Sequence, residues 1–240
     1  MSGGVLTHYI SLDTELYFWD YLTGADAASE QRKNNFRSMI AAQWHWLVAD
    51  LKRAAESGKY AWIIAYGHRP LYCSNVDDIP DCTVDAETLR KGPGGMYGFE
   101  AAFASVPGAL DIYFAAHEHS YERTYPVFQG VIDWGSVKTE NLYVDPKVPT
   151  YIIAGSAGCR EYFDNFDEVF FGPWSAYRSA TYGYGRMTIH NATHLHWAQL
   201  IDEGHAGTDE LWIQKTPKRH TQQEEPTKHA APRQPRIALE

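Results

Sequence analysis

The sequence predicts an α/β fold, a layered core in which helices pack against a sheet of buried strands. Three observations predict it. Three short apolar runs, at 60–66 (YAWIIAY), 109–116 (ALDIYFAA) and 149–154 (PTYIIA), have the length and composition of strands buried on both faces. A long segment of helical periodicity precedes the first run, and a shorter helical segment lies between the first and the second. Buried strands alternating with helices are the pattern of layered α/β cores.

Each element follows from its residues. Val5 to Phe18 (VLTHYISLDTELYF) is rich in β-branched and aromatic residues and predicts one or two strands. A polar loop, TGADAASEQRKNN, follows. From Asn35 to Ser57 the apolar residues Phe36, Met39, Ile40, Leu47, Leu51 and Ala54 recur at helical spacing, and Gly58 supplies the stop. After the run at 60–66, residues 73–95 are polar and Gly- and Pro-punctuated, which predicts a loop. Residues 97–105 predict a helix. Near the end, Gly185 to His190 and Thr193 to Ile201 alternate around Asn191-Ala192, the pattern of a hairpin, with a further strand at 210–214. Residues 215–240 are rich in Pro, Gln, Lys and His without an apolar face, and are expected to be a disordered tail.

Charge and composition exclude several classes. The chain has 240 residues and a net charge of −9. Residues 1–214 hold 15 Lys/Arg against 27 Asp/Glu, or −12, so a nucleic-acid partner is not expected. An anionic substrate stays possible where a metal inverts the local charge. No run of about 18 apolar residues exists, so no membrane span is expected. The first residues have no basic stretch leading into a continuous apolar segment, so no signal peptide is expected there. Cys73 and Cys82 bracket a short loop, CSNVDDIPDC. A disulfide there implies an oxidising compartment, and two free thiols are the alternative. Asn191-Ala192-Thr193 is an N-glycosylation triplet, of consequence only in a secreted chain.

The chemistry-bearing residues stand where strands end. The run 60–66 leads into Gly67-His68-Arg69-Pro70, and the run 109–116 leads into His117-Glu118-His119. Sites in open α/β sheets lie outside the carboxyl ends of strands. On an extended segment, spacing of two puts His117 and His119 on one face. Two such imidazoles beside a third suit Zn, Fe or Mn. Ordinary polar strand ends are the other reading. His190, His194 and His196 repeat similar spacing but are expected on the solvent face of the hairpin, and Glu118 and Glu122 are expected to alternate or point away from the site.

The order strand–GHRP–loop–helix–strand–HEHSYER, with its flanking LYCSN and RTYPV, resembles the C-terminal half of the metallophosphoesterase domain of animal-type purple acid phosphatases. YISLDTELYF, QWHWLVADLKRA, TYIIAGSAGCRE and YGRMTIHNATHLHWAQL extend the resemblance over roughly Val5 to Lys215. It implies a layered, calcineurin-like β-sandwich flanked by helices, with residues 1–214 as its C-terminal part and a β-hairpin near the end. It also implies a secreted or lysosomal glycoprotein hydrolysing phosphate monoesters at a dinuclear Fe–Zn or Fe–Mn centre. His68 and His117 match ligands of the divalent metal, and His119 matches a ligand of the ferric ion. Metals so held activate a water for in-line attack on phosphorus. Tyr121 and Arg123 follow the motif at the mouth of the site, where a place beside the substrate or behind the ligands is one reading, and structural packing is the other for Tyr121.

Two departures from the family pattern matter. Ala116 stands where Gly commonly precedes the first His; if that position needs a positive φ, Ala strains it by about 1 kcal/mol. The family's bridging Asp block and GNH block do not occur in the sequence, and they are expected upstream of Met1. No catalytic residue is therefore assigned within the chain. Residues 1–240 alone are expected to show little or no turnover, and an open apolar sheet edge is expected to favour aggregation or oligomer formation. The alternative is a non-catalytic, truncated isoform or pseudoenzyme with weak single-metal or partner binding.

Overall fold

In a computed structural model of the chain, residues 4–18, 30–167, 172–201 and 207–216 are described. In chain order the strands are β1 (Thr7–Ser11), β2 (Trp62–Tyr66), β3 (Ile112–Ala115), β4 (Tyr121–Thr124), β5 (Val127–Phe128), β6 (Val131–Ile132), β7 (Val137–Thr139), β8 (Leu142–Val144), β9 (Thr150–Ala154), β10 (Ser175–Ser179), β11 (Gly183–Ile189), β12 (His194–Ile201) and β13 (Gly207–Gln214). The helices are α1 (Glu30–Glu56), α2 (Ala86–Lys91) and α3 (Phe99–Ala104).

Two sheets carry the architecture. One has the order β1-β2-β3-β9-β4-β10, parallel from β1 to β9 and antiparallel beyond. The other has the order β11-β12-β13-β8-β7. Alternation along β2 shows how they pack. Trp62 and Ile64 join Ile112, Tyr121 and Ile152 against Leu195, Trp197, Leu211 and Ile213 of the second sheet. Ile63 and Ala65 face the other way, with Tyr113, Tyr151 and Ile153, against Ile40, Leu47, Leu51, Leu89, Phe99 and Phe103 of the helices. A strand with apolar residues at every position suits this sandwich, since both of its faces are covered. Each fully buried large side chain here contributes about 1.5–3 kcal/mol by leaving water. Among the described residues β1 has no neighbour on its outer side, and Tyr9 stands exposed there.

The fold bears out the layered sandwich, the hairpin and the three buried strands, and it corrects three local expectations. The first strand stops at Ser11, and Glu15–Phe18 is a 3₁₀ turn. Asp13 causes the stop: its Oδ1 accepts the Glu15 N–H at 3.0 Å, an Asx-type turn that competes with the ladder. Helix α1 begins at Glu30, five residues before Asn35, inside the segment expected as loop. The expected loop at 73–95 contains a π turn at Asp81–Asp85, then α2, then a 3₁₀ turn at Pro93–Gly95. Cys82, Ala86 and Leu89 are its buried stripe at helical spacing, which the surrounding polar residues masked. The expected disordered tail lies outside the described residues from 217 onward.

Candidate metal centre

Two parallel strand ends build the site. Beyond β2, the Gly67 N–H donates to the Phe114 carbonyl at 3.0 Å; beyond β3, the Ala116 N–H donates to the His68 carbonyl at 3.0 Å. These crossing bonds hold the two histidine-bearing segments together. Gly67 is needed for the approach, because a Cβ there would lie 2.5 Å from the Tyr113 hydroxyl and 2.8 Å from Thr14 Cγ2.

His68 Nε2 and His117 Nδ1 face one another at 3.1 Å, with rings edge to face at 75°. Residues 117–120 are a bend rather than an extended segment, and His117 has φ +52°. Left-handed backbone at a non-glycine residue costs on the order of 1–2 kcal/mol and persists only where the surrounding structure holds it. The positive φ belongs to His117, not Ala116, so Ala116 carries no strain of that kind. The bend also cancels the same-face argument for His117 and His119. His117 faces His68 and Asp81, whereas His119 has Nδ1 4.0 Å from both Glu161 and Asp164, and its N–H donates to Asp164 Oδ2.

Tyr121 takes the packing alternative, and Arg123 lies with it rather than at the mouth of the site. Both are buried between the sheets. Arg123 forms a two-pronged pair with Asp209, Nε to Oδ2 at 2.6 Å and Nη2 to Oδ1 at 2.8 Å, and the Tyr121 hydroxyl donates to Oδ2 at 2.7 Å. Strand alternation turns these side chains into the sandwich, away from the histidine pair. Cys73 and Cys82 form a disulfide. Asn191 is exposed at the hairpin turn, where its Oδ1 accepts the Thr193 N–H at 2.8 Å. His190 and His196 stack on Trp212, in keeping with a hairpin-face role.

Sequence reasoning missed the carboxylates. Glu118 does not alternate away: it is 2% exposed and lies with Asp81 and His117, and separately with Asp77 and Asp164, each trio having donor atoms within 4.8 Å. Burial, then the charges of Asp81, Asp77, Asp164 and Glu122, push its pKa up to about 9. Glu122 does point away, its oxygens taken by Ser74 and Ser175. Asp81 adjoins Cys82, so the bridge back to Cys73 was the signal that its turn returns to the histidines.

The residues fit a transition-metal ion. Two imidazole nitrogens on one ion at ~2.1 Å stand roughly 3.0–3.4 Å apart, from octahedral to tetrahedral angles. The 3.1 Å separation of His68 and His117 lies in that range. Burial first, then the Arg69 guanidinium, lower the pKa of His117 and favour the neutral form that a metal ligand needs. His117 Nε2 is buried without a hydrogen bond, and Asp81 Oδ2 stands 3.4 Å from it. That is the position of a carboxylate orienting a metal-bound imidazole.

Residues 148–210 match the family described as iron/zinc purple acid phosphatase-like protein C. Over 209 residues the chain is 39% identical to acid phosphatase type 7 of Homo sapiens, an alignment covering 86% of this chain. The chain matches the C-terminal part of the purple acid phosphatases. The acid phosphatase type 7 of Danio rerio is 40% identical over 205 residues. A purple acid phosphatase from yellow lupin seeds shares the fold over 72% of this chain and 28% of its own, with TM-score 0.57 and 20% identity. The chain spans 43% of the human acid phosphatase it matches and 42% of the zebrafish one. No helix among the described residues is long and apolar enough to cross a membrane.

Proposed function

We propose that this chain supplies the C-terminal, histidine-bearing share of an acid phosphatase centre that hydrolyses phosphoric monoesters. His68 and His117 hold the divalent ion, zinc or manganese, and His119 holds the iron. The observation that carries this is the His68–His117 pair, 3.1 Å apart across two parallel strand ends, with Asp81 behind His117. When bound, the ions neutralise the phosphate charge and lower the pKa of a bound water. The chain's own residues hold and orient. Arg69, pinned by Glu15, Asp81 and Asp85, keeps a cation beside His117. Arg37, Arg69, Tyr17 and Phe18, together with Asp78, Asp81 and Asp85, line a cleft of about 570 Å³ that reaches His117. The disulfide and the exposed Asn191 triplet support a secreted or lysosomal glycoprotein.

The test is zinc affinity of the purified chain, measured by competition with a chromogenic chelator. His68→Ala and His117→Ala are each expected to weaken binding at least about tenfold. Unchanged affinity in both variants sinks the proposal. Aryl-phosphate turnover by residues 1–240 alone is expected to be negligible.

A further inference from the structure

We infer that Asp77, Glu118 and Asp164 form a second cation site, built wholly from this chain's carboxylates and selective for a hard divalent ion of the calcium class. The three oxygens lie within 4.8 Å of one another. Oxygens on opposite sides of a calcium ion, at 2.3–2.6 Å each, are separated by roughly 4.6–5.2 Å, and adjacent ones by less. The trio therefore fits around one ion.

The second observation is Glu118 itself. It is 2% exposed, and its Oε1 makes no hydrogen bond. A buried carboxylate oxygen without a partner costs on the order of 1–3 kcal/mol or more, which a cation removes. Its neighbours do not remove that cost, for the carboxylates of Asp77, Asp81 and Asp164 stand within 4.8 Å of it. Among the described residues, His119 Nδ1 stands 4.0 Å from Asp164.

The frame is stitched from three segments. The Val76 N–H donates to the Asn165 carbonyl at 3.1 Å, and Asn75 bridges to Phe166. Asn75 Nδ2 donates to Ser120 Oγ at 3.0 Å and to the Asp164 carbonyl at 2.9 Å. Asp164 also receives the His119 N–H. Oxygen ligands and net negative charge select a hard cation, whereas the imidazole pair at His68 and His117 selects a softer one. The site depends on none of those imidazoles. A cation held here ties the 75–78 and 164–166 loops to the segment that carries His117 and His119.

The experiment is calorimetric titration of the chelator-stripped chain with calcium chloride. One calcium ion per chain is expected. Glu118→Gln keeps the shape and replaces a carboxylate ligand by an amide, and a loss of at least tenfold in affinity is expected. Asp77→Asn, at an exposed position, guards against misfolding of the first variant and should weaken binding in the same direction. His117→Ala should leave calcium binding intact while weakening zinc. No calcium binding by the wild-type chain, or equal binding by wild type and Asp77→Asn, overturns the inference. Zinc binding without calcium binding overturns this site alone; calcium binding without zinc binding overturns only the proposed phosphatase centre.

Discussion

Replacing Asp209 by alanine tests the assignment of Tyr121 and Arg123 as structural. Asp209 joins β13 of one sheet to β4 of the other. It accepts Arg123 Nε at 2.6 Å, Arg123 Nη2 at 2.8 Å and the Tyr121 hydroxyl at 2.7 Å. The side chains of Arg123 and Asp209 are 1% and 3% exposed. Without the carboxylate, Arg123 keeps the Glu140 carbonyl at 3.0 Å and the Tyr143 hydroxyl at 2.5 Å, but its charge has no counter-ion. Removing one partner of a buried pair costs about 3–5 kcal/mol. For a unit of 150–250 residues, each kcal/mol lowers Tm by about 2–4 °C, so a fall of roughly 6–20 °C is expected in differential scanning fluorimetry. Zinc affinity at 25 °C should not change, because the pair lies between the sheets. The double variant Arg123→Met with Asp209→Leu should recover part of the loss, since apolar replacement of both partners removes the stranded charge. A Tm within 3 °C of wild type, or a drop in zinc affinity of the folded variant, would refute the reasoning.

Two further perturbations follow from the geometry. A Cβ at Gly155 would sit 2.0 Å from the Glu118 carbonyl, so Gly155→Ala must push the end of β9 away from the histidine bend; weaker zinc and calcium binding together with a lower Tm is expected, and unchanged binding of both ions argues that the bend is not held by this contact. Burial raises the Asp85 carboxyl from 3.8 to about 6, with Asp81 adding to the rise and Arg69 opposing it. The sign follows from linkage: a raised carboxyl pKa penalises the folded state only when the group is ionised, so stability falls as pH rises from about 3.8 through about 6. Asp85→Asn should therefore raise Tm at pH 7.5 relative to wild type and by much less at pH 4, and equal effects at the two values would show that the charge is not the cause.

Much of this protein is written in local sequence. Buried strands show as continuous apolar runs because both faces are covered, and α1 shows as a 3.6-residue period because one of its faces is. His68 and His117 are legible because each follows such a run, where parallel strands end together. The family's motifs supplied their pairing, and tertiary structure confirmed only that the two side chains meet. Other features depend on contacts between distant residues. The left-handed bend at His117 undoes the period-two argument, which assumes extended backbone, and so separates His117 from His119 and turns Glu118 inward. Asp77, Asp81 and Asp164 look like solvated loop acids until the disulfide and the 75–166 loop contacts gather them around Glu118. Arg123 looks like a residue at the mouth of a site until its partner, 86 positions away, appears on the facing sheet. Local sequence thus determined which segments are buried and where they end, because solvent acts on every residue alike. Tertiary structure alone decided which charges meet, because that depends on how two sheets and three loops close around them.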